Sequence, residues 1–224
     1  MPKKVFSKHL LVEGRADRDF CAALCRDLGL DDVQIGPPQD FGAGGNGKGN
    51  VIALLPEMIE RMKIGDITHL ALMVDADFAH TDGLGCKNTW RKIADTLRAN
   101  GYTLPENPPK NMQQGLHYHY AGKLMPIGVW IMPGNGGDGF IENFLMDNLQ
   151  ANEQTLLAHA KSTVATLSDK RFRPHHESKA VLSTYAAWQK MPGQGMQGLH
   201  GAGVLDANAS GMQSFCTWLK TCFS

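Results

Sequence analysis

Two periods alternate along the chain. Unbroken apolar runs read as strands buried on both faces. They occur as HLLV within HLLVEG (residues 9–14), THLALMV (68–74) and IGVWIMP (127–133), with a weaker run, VQIG, near residue 33. Between them, apolar positions recur at helical spacing. Phe20, Ala23, Leu24 and Leu28 mark one helix, which Gly29 is placed to stop. VIALLPEMIERMK (51–63) marks a second, started or kinked near Pro56. NTWRKIADTLRAN marks a third, with Asn88 as its cap and Gly101 as its end. FIENFLMDNL, NEQTLLAHAKSTVATL, HHESKAVLSTYAAWQK and SGMQSFCTWLK carry the helical pattern to the end of the sequence. Pro174 suits a helix start, and MPGQGM (191–196) reads as a turn. Residues 102–124 have no clear period. Trp90, Trp130, Trp188 and Trp218 lie on apolar faces and read as core. Strands alternating with helices predict an α/β fold, a mostly parallel sheet flanked by helices. Residues 1–150 carry that pattern, and residues 151–224 are expected as a helical extension packed on the same core.

The apolar runs end in acids. LMVDADF closes the third strand with Asp75 and Asp77, whose side chains point the same way if the chain stays extended. Glu13 follows the first strand, and Asp17 lies one helical turn further on. Asp138 and Glu142 follow IGVWIMP. In an open α/β sheet the carboxyl ends of the strands are where ligands bind. Carboxylates gathered there repel unless a divalent cation, a basic side chain or a shared proton lies among them. Mg²⁺ and Mn²⁺ prefer such oxygen ligands. Taken singly, each acid is also explained as a helix cap, a first-turn acid or a turn residue.

Charge narrows the function classes. The 224 residues hold 22 Lys and Arg against 22 Asp and Glu, a formal net charge of zero. No overall basic field advertises a polyanion partner, so any such contact is local or metal-mediated. The clearest basic cluster is RFRPHHESK, with Arg171, Arg173, His175, His176 and Lys179. It reads either as a phosphate-contacting patch or as a solvated helix start. No apolar run reaches the roughly 18 residues of a membrane span, and a cytoplasmic location is expected. The five cysteines include no Cys-x-x-Cys pair and read as free thiols. In GAGGNGKGN, Gly42 and Gly47-Lys48 have P-loop spacing, but Gly49 stands where a hydroxyl is needed. A loop over the site, with Lys48 touching a substrate phosphate, is the better reading. His117 and His119 in HYH could hold zinc or Mn²⁺, but no third ligand is evident nearby and an exposed edge or loop is the better reading.

LLVEGRADRDF followed by LMVDADF resembles the Toprim domain, the acidic metal-binding fold of topoisomerases, bacterial primases, small ribonucleases and OLD-type nucleases. The likeness runs from about residue 8 to 150 and is nearest to the OLD-like branch and to small stand-alone Toprim proteins. It implies a Rossmann-like sheet and a two-ion Mg²⁺ or Mn²⁺ site. Glu13 and Asp17 match that branch's first acid pair, Asp75 and Asp77 the middle pair, and Glu142 the last acid. Lys179 matches its basic residue near the scissile phosphate, with Arg171, Arg173 and Lys48 as further phosphate contacts. The implied activity is metal-dependent phosphodiester hydrolysis of DNA or RNA, with Glu13, Asp75, Asp77 and Lys179 catalytic. The chain departs from the multidomain members. It shows no separate tyrosine domain, zinc module or ATPase domain, so any ATPase would be a separately encoded partner. A homo-oligomer is compatible with the pattern. A non-catalytic binding subunit of a larger complex is the second reading, and a phosphotransferase using Asp75 as phospho-acceptor is the third.

Overall fold

The computed structural model describes residues 6–81, 83–105, 116–118 and 126–224. Five strands form one sheet: β1 (Lys8–Leu11), β2 (Val33–Gly36), β3 (His69–Asp75), β4 (Leu116–Tyr118) and β5 (Ile127–Met132). Their order across the sheet is β2-β1-β3-β5-β4. The first four in that order run parallel, and β4 pairs antiparallel with β5 at the edge. The expected α/β class and mostly parallel sheet are therefore observed. The direction of travel reverses between β1 and β3, which makes the crevice at their carboxyl ends the switch point of the sheet.

Side-chain alternation sorts the strand residues onto two faces. Leu10, Val12, Ala71, Met73, Trp130 and Met132 face one core. That core also holds α1 (Arg15–Asp27), α4 (Ile141–Asp147), α5 (Gln154–Thr166), α6 (Glu177–Ala187), α7 (Gly195–Gly201) and α8 (Ser210–Phe223). Leu11, Leu70, Leu72, Val74, Ile127, Val129 and Ile131 face the other core, against α2 (Lys48–Lys63) and α3 (Gly85–Ala99). The helices after residue 150 thus share one hydrophobic core with β1, β3 and β5. Gly128 marks the closest approach of α8. A Cβ there would collide with the Cys222 sulfur and press on Ala71. Among the described residues, no helix is long and apolar enough to cross a membrane.

Local rules explain most helix ends. Gly29, at φ 73°, ends α1 in a full Schellman motif. Its N–H reaches Arg26 O at 3.1 Å, and the Leu30 N–H reaches Cys25 O at 2.8 Å. Gly101 ends α3 the same way, with Tyr102 N–H on Leu97 O at 3.1 Å. Pro174 opens a short 3₁₀ turn that leads into α6. Four expectations need correction. Helix α2 begins at Lys48 and carries Pro56 in its interior. Asn88 lies inside α3 and bonds back to Leu84 O, because the start of that helix is capped from elsewhere. MPGQGM runs into α7, which starts at Gly195 with Met196 buried. Trp188 is 43 % exposed, since it falls at the end of α6 where the buried face runs out. All five cysteines are free thiols.

Candidate metal centre at the carboxyl edge of the sheet

The carboxyl ends of β1, β3 and β5 deliver acids to one edge, and Glu13, Asp17 and Asp75 are each held there by backbone N–H groups. Glu13, two residues past β1, accepts the Asp75 N–H on Oε1 at 2.7 Å and the Lys48 N–H on Oε2 at 3.0 Å. It therefore ties β3 to the first residue of α2. Asp17, in the first turn of α1, accepts the Gly14 N–H at 2.8 Å. Asp75 ends β3, and its Oδ1 accepts the N–H of Ile141, the first residue of α4, at 2.9 Å. Glu142 follows on α4 and is largely buried, with 15 % of its side chain exposed. Its Oε2 is buried with no hydrogen-bond partner among the described residues.

Asp75 and Asp77 do not point the same way. The strand ends at Asp75, and Asp77 takes a left-handed backbone at φ 60°, where aspartate is tolerated. A pair of backbone hydrogen bonds to Gly139, both 2.9 Å, holds it there. The turn sends Asp75 towards α4 and Asp77 towards α2. Asp77 Oδ2 then lies 2.6 Å from Lys48 Nζ.

Lys48 is the residue whose place differs most from expectation. Its side chain is only 9 % exposed. Besides Asp77, its ammonium donates to Asp75 O at 2.7 Å, Ala76 O at 3.1 Å and Thr89 Oγ1 at 3.2 Å. Three ammonium protons are met by four oxygens, so no donor is left for a substrate phosphate. The expected phosphate contact is corrected to an internal ion pair. The sequence signal was the Gly-Lys at the end of the glycine loop. Thr89, fully buried and bonded to Ala76 O, carried no signal. Asp138 was also misplaced by sequence. It clasps the Ala79 N–H at 3.0 Å and the Cys86 N–H at 2.8 Å, and so caps α3 in place of Asn88.

The basic cluster divides. Lys179, on α6, lies 4.0 Å from Glu142 Oε1, and its Nζ sits 4.5 Å over the Phe140 ring. His176 is depressed by desolvation and then by repulsion from His175, Lys179 and Arg173, while Asp77 acts in the opposite direction. Exposed Arg173 and these histidines therefore belong to the rim of the acidic edge. Arg171 stands apart, 88 % exposed and paired with Asp169 at 3.2 Å. Nothing in the structure brings it to the acids, which corrects its expected place at the substrate. The side chains of His117 and His119 fall outside the described residues.

Electrostatics mark the edge as short of positive charge. Burial pushes the Asp17 carboxyl up to about 6, with Glu142 adding repulsion against the opposing Gly14 N–H and Lys179. Asp75 is raised well above the usual range by burial, then by Glu13, Asp17 and Glu142. Glu13 is raised chiefly by burial, with the Asp75 N–H and Lys48 opposing. Such acids need protons or a cation. The donors are carboxylate and carbonyl oxygens, the type Mg²⁺ and Mn²⁺ take. The orphaned Glu142 Oε2 is the atom that most needs a cation. Among the described residues, no group of three or more His, Cys, Asp or Glu side chains is arranged to hold a metal ion as it stands. The helix-capping bonds hold several of these oxygens towards the backbone, so a bound ion would use their remaining lone pairs.

No curated protein and no solved structure matched the chain. One family profile, described as a protein of unknown function (DUF3226), matches residues 7–224. With nearly the whole sequence covered, the chain belongs to the DUF3226 family.

Proposed function

We propose that the protein hydrolyses phosphodiester bonds in nucleic acid, DNA or RNA, with Mg²⁺ or Mn²⁺ held at the carboxyl edge of the sheet. The observation that carries this is the delivery of Glu13, Asp17, Asp75 and Glu142 to one edge of the sheet, with Glu142 Oε2 buried and unpartnered among the described residues. The Toprim-like order of the same acids in the sequence supports it. When bound, a divalent ion would polarise the phosphate and lower the pKa of an attacking water. Glu13, Asp17, Asp75 and Glu142 would hold it. Backbone hydrogen bonds fix Glu13, Asp17 and Asp75 before substrate arrives, so little reorganisation of these three is needed during reaction. Lys179, on the rim beside Glu142, is placed to meet the charge that develops on the phosphate. Arg173 and His176 would meet the flanking backbone of the strand. The reaction would take place in the cytoplasm, alone or beside a separately encoded ATPase.

The test is a cleavage assay on supercoiled plasmid, linear duplex, single-stranded DNA and structured RNA, with Mg²⁺, Mn²⁺ or chelator. Metal-dependent cutting that disappears in Asp75→Asn is the expected result. Lys179→Met should slow cutting by roughly 100-fold, as loss of one transition-state donor does. The second reading, a non-catalytic binding subunit, draws on the capping role of the acids and on the Lys48–Asp77 pair. Intact binding of nucleic acid with no cutting in any metal would favour it.

A further inference from the structure

We propose that Lys48 is a resident cation of this site, filling the position on the Asp77 side where a second divalent ion would otherwise bind. The acidic edge then takes one divalent ion per chain rather than two. This rests on the metal-dependent reading above and changes its stoichiometry.

The surroundings of the ammonium are those of a bound hard cation. One carboxylate, two main-chain carbonyls and one hydroxyl surround it at 2.6–3.2 Å. Two of these oxygens, Asp75 O and Ala76 O, belong to the end of the central strand and cannot turn away. The lysine is anchored at its other end as well. Its own N–H binds Glu13 Oε2, and the Gly47 N–H binds Glu13 O at 2.9 Å. Lys48 thus spans from Glu13 to Asp77 and is fixed to both. A buried ammonium without partners would be strongly unfavourable, which keeps the four oxygens on it. The left-handed turn at Asp77 serves the same arrangement, since it carries that carboxylate away from Asp75 and onto Lys48. On the other side of Asp75 the balance differs. There the ammonium beside Glu142 is Lys179, at the rim and 4.0 Å away, and Lys48 acts on Glu13 from the far side. The buried, unpartnered Glu142 Oε2 lies on that side, and that is where the single ion belongs.

The test counts bound Mn²⁺ per chain, by native mass spectrometry and by calorimetric titration, in the wild type and in Lys48→Met and Lys48→Arg. One ion in the wild type and in Lys48→Arg, and two in Lys48→Met, is the expected result. Two ions in the wild type would overturn the proposal and leave the metal-dependent reading intact. So would a count of one in both the wild type and Lys48→Met. No ion in the wild type but one in Lys48→Met would uphold Lys48 as the resident cation and sink the divalent-ion reading. No ion in either would overturn both. Lys48→Met is refolded in Mn²⁺ if it is unstable without it. If it does not fold at all, Lys48→Gln takes its place in the same comparison, with two ions upholding the proposal and one overturning it.

Discussion

Asp17 is a carboxyl group placed where its charged form is poorly supported. Its folded pKa, about 6, lies above the ordinary 3.8, so between those values the folded state binds more protons than the unfolded one. Stability from this group is fully present below the unfolded value and lost as pH rises through about 6. The loss amounts to at most about 3 kcal/mol by the usual linkage. In chelator, the melting temperature should fall as pH rises from about 4 to about 6, and Asp17→Asn should flatten that fall. Mg²⁺ should restore the wild type at high pH, because it binds the ionised acids. Asp75 supplies a second residue-scale test. Asn at this position keeps an acceptor for the Ile141 N–H, and Ala does not. In urea melts of the apo protein, Asp75→Ala should therefore be less stable than Asp75→Asn by about 1 kcal/mol, the usual worth of a cap. The positions of Glu13 and Asp75 were legible in the sequence, because acids directly after apolar runs must lie at the strand ends; Asp17 and Glu142 follow on the helices that those strands lead into. The direction of Asp77 was not legible. The rule of alternation assumes extended backbone, and Asp77 leaves it with a positive φ.

At the scale of elements, periodicity located β1, β2, β3, β5 and most of the helices, while the edge strand β4 and several helix starts escaped it. Glycine stops are local, so Gly29 and Gly101 could be read directly. The caps at the starts of α2, α3 and α4 come from Glu13, Asp138 and Asp75, separated in sequence from the groups they bind by 35, 52 and 66 residues. No local pattern carries that information. This is also why Asn88 was a reasonable but wrong cap. The glycine in IGVWIMP was equally silent, since its role is set by α8, which arrives about 90 residues later. Gly128→Val should overpack the seam between β5 and α8 and cost about 1–3 kcal/mol in chemical denaturation. The seam lies near the start of β5, away from the acidic edge, so the variant should bind Mn²⁺ with unchanged stoichiometry. A loss of ion binding in a folded Gly128→Val protein would show that the seam and the site are coupled.

At the scale of the molecule, strand order decides where chemistry happens. The chain places β1 and β3 side by side and sends their connections to opposite sides, which opens a crevice at their carboxyl ends. The apolar runs predicted the class of sheet but not this order, which depends on contacts between distant strands. The helices α5 to α8 thicken one face, and α6 brings Lys179 over the edge, so a basic group 52 residues past the start of β5 lies 4.0 Å from Glu142. A family match along residues 7–224 spans this whole arrangement. The central claim is that the acidic edge holds a divalent ion. An anomalous-scattering map from crystals grown in Mn²⁺ tests it most directly. The account predicts a peak bounded by Glu13, Asp17, Asp75 and Glu142, absent from crystals of Asp75→Asn. A map with no peak at that edge, in crystals grown in excess Mn²⁺, would contradict it.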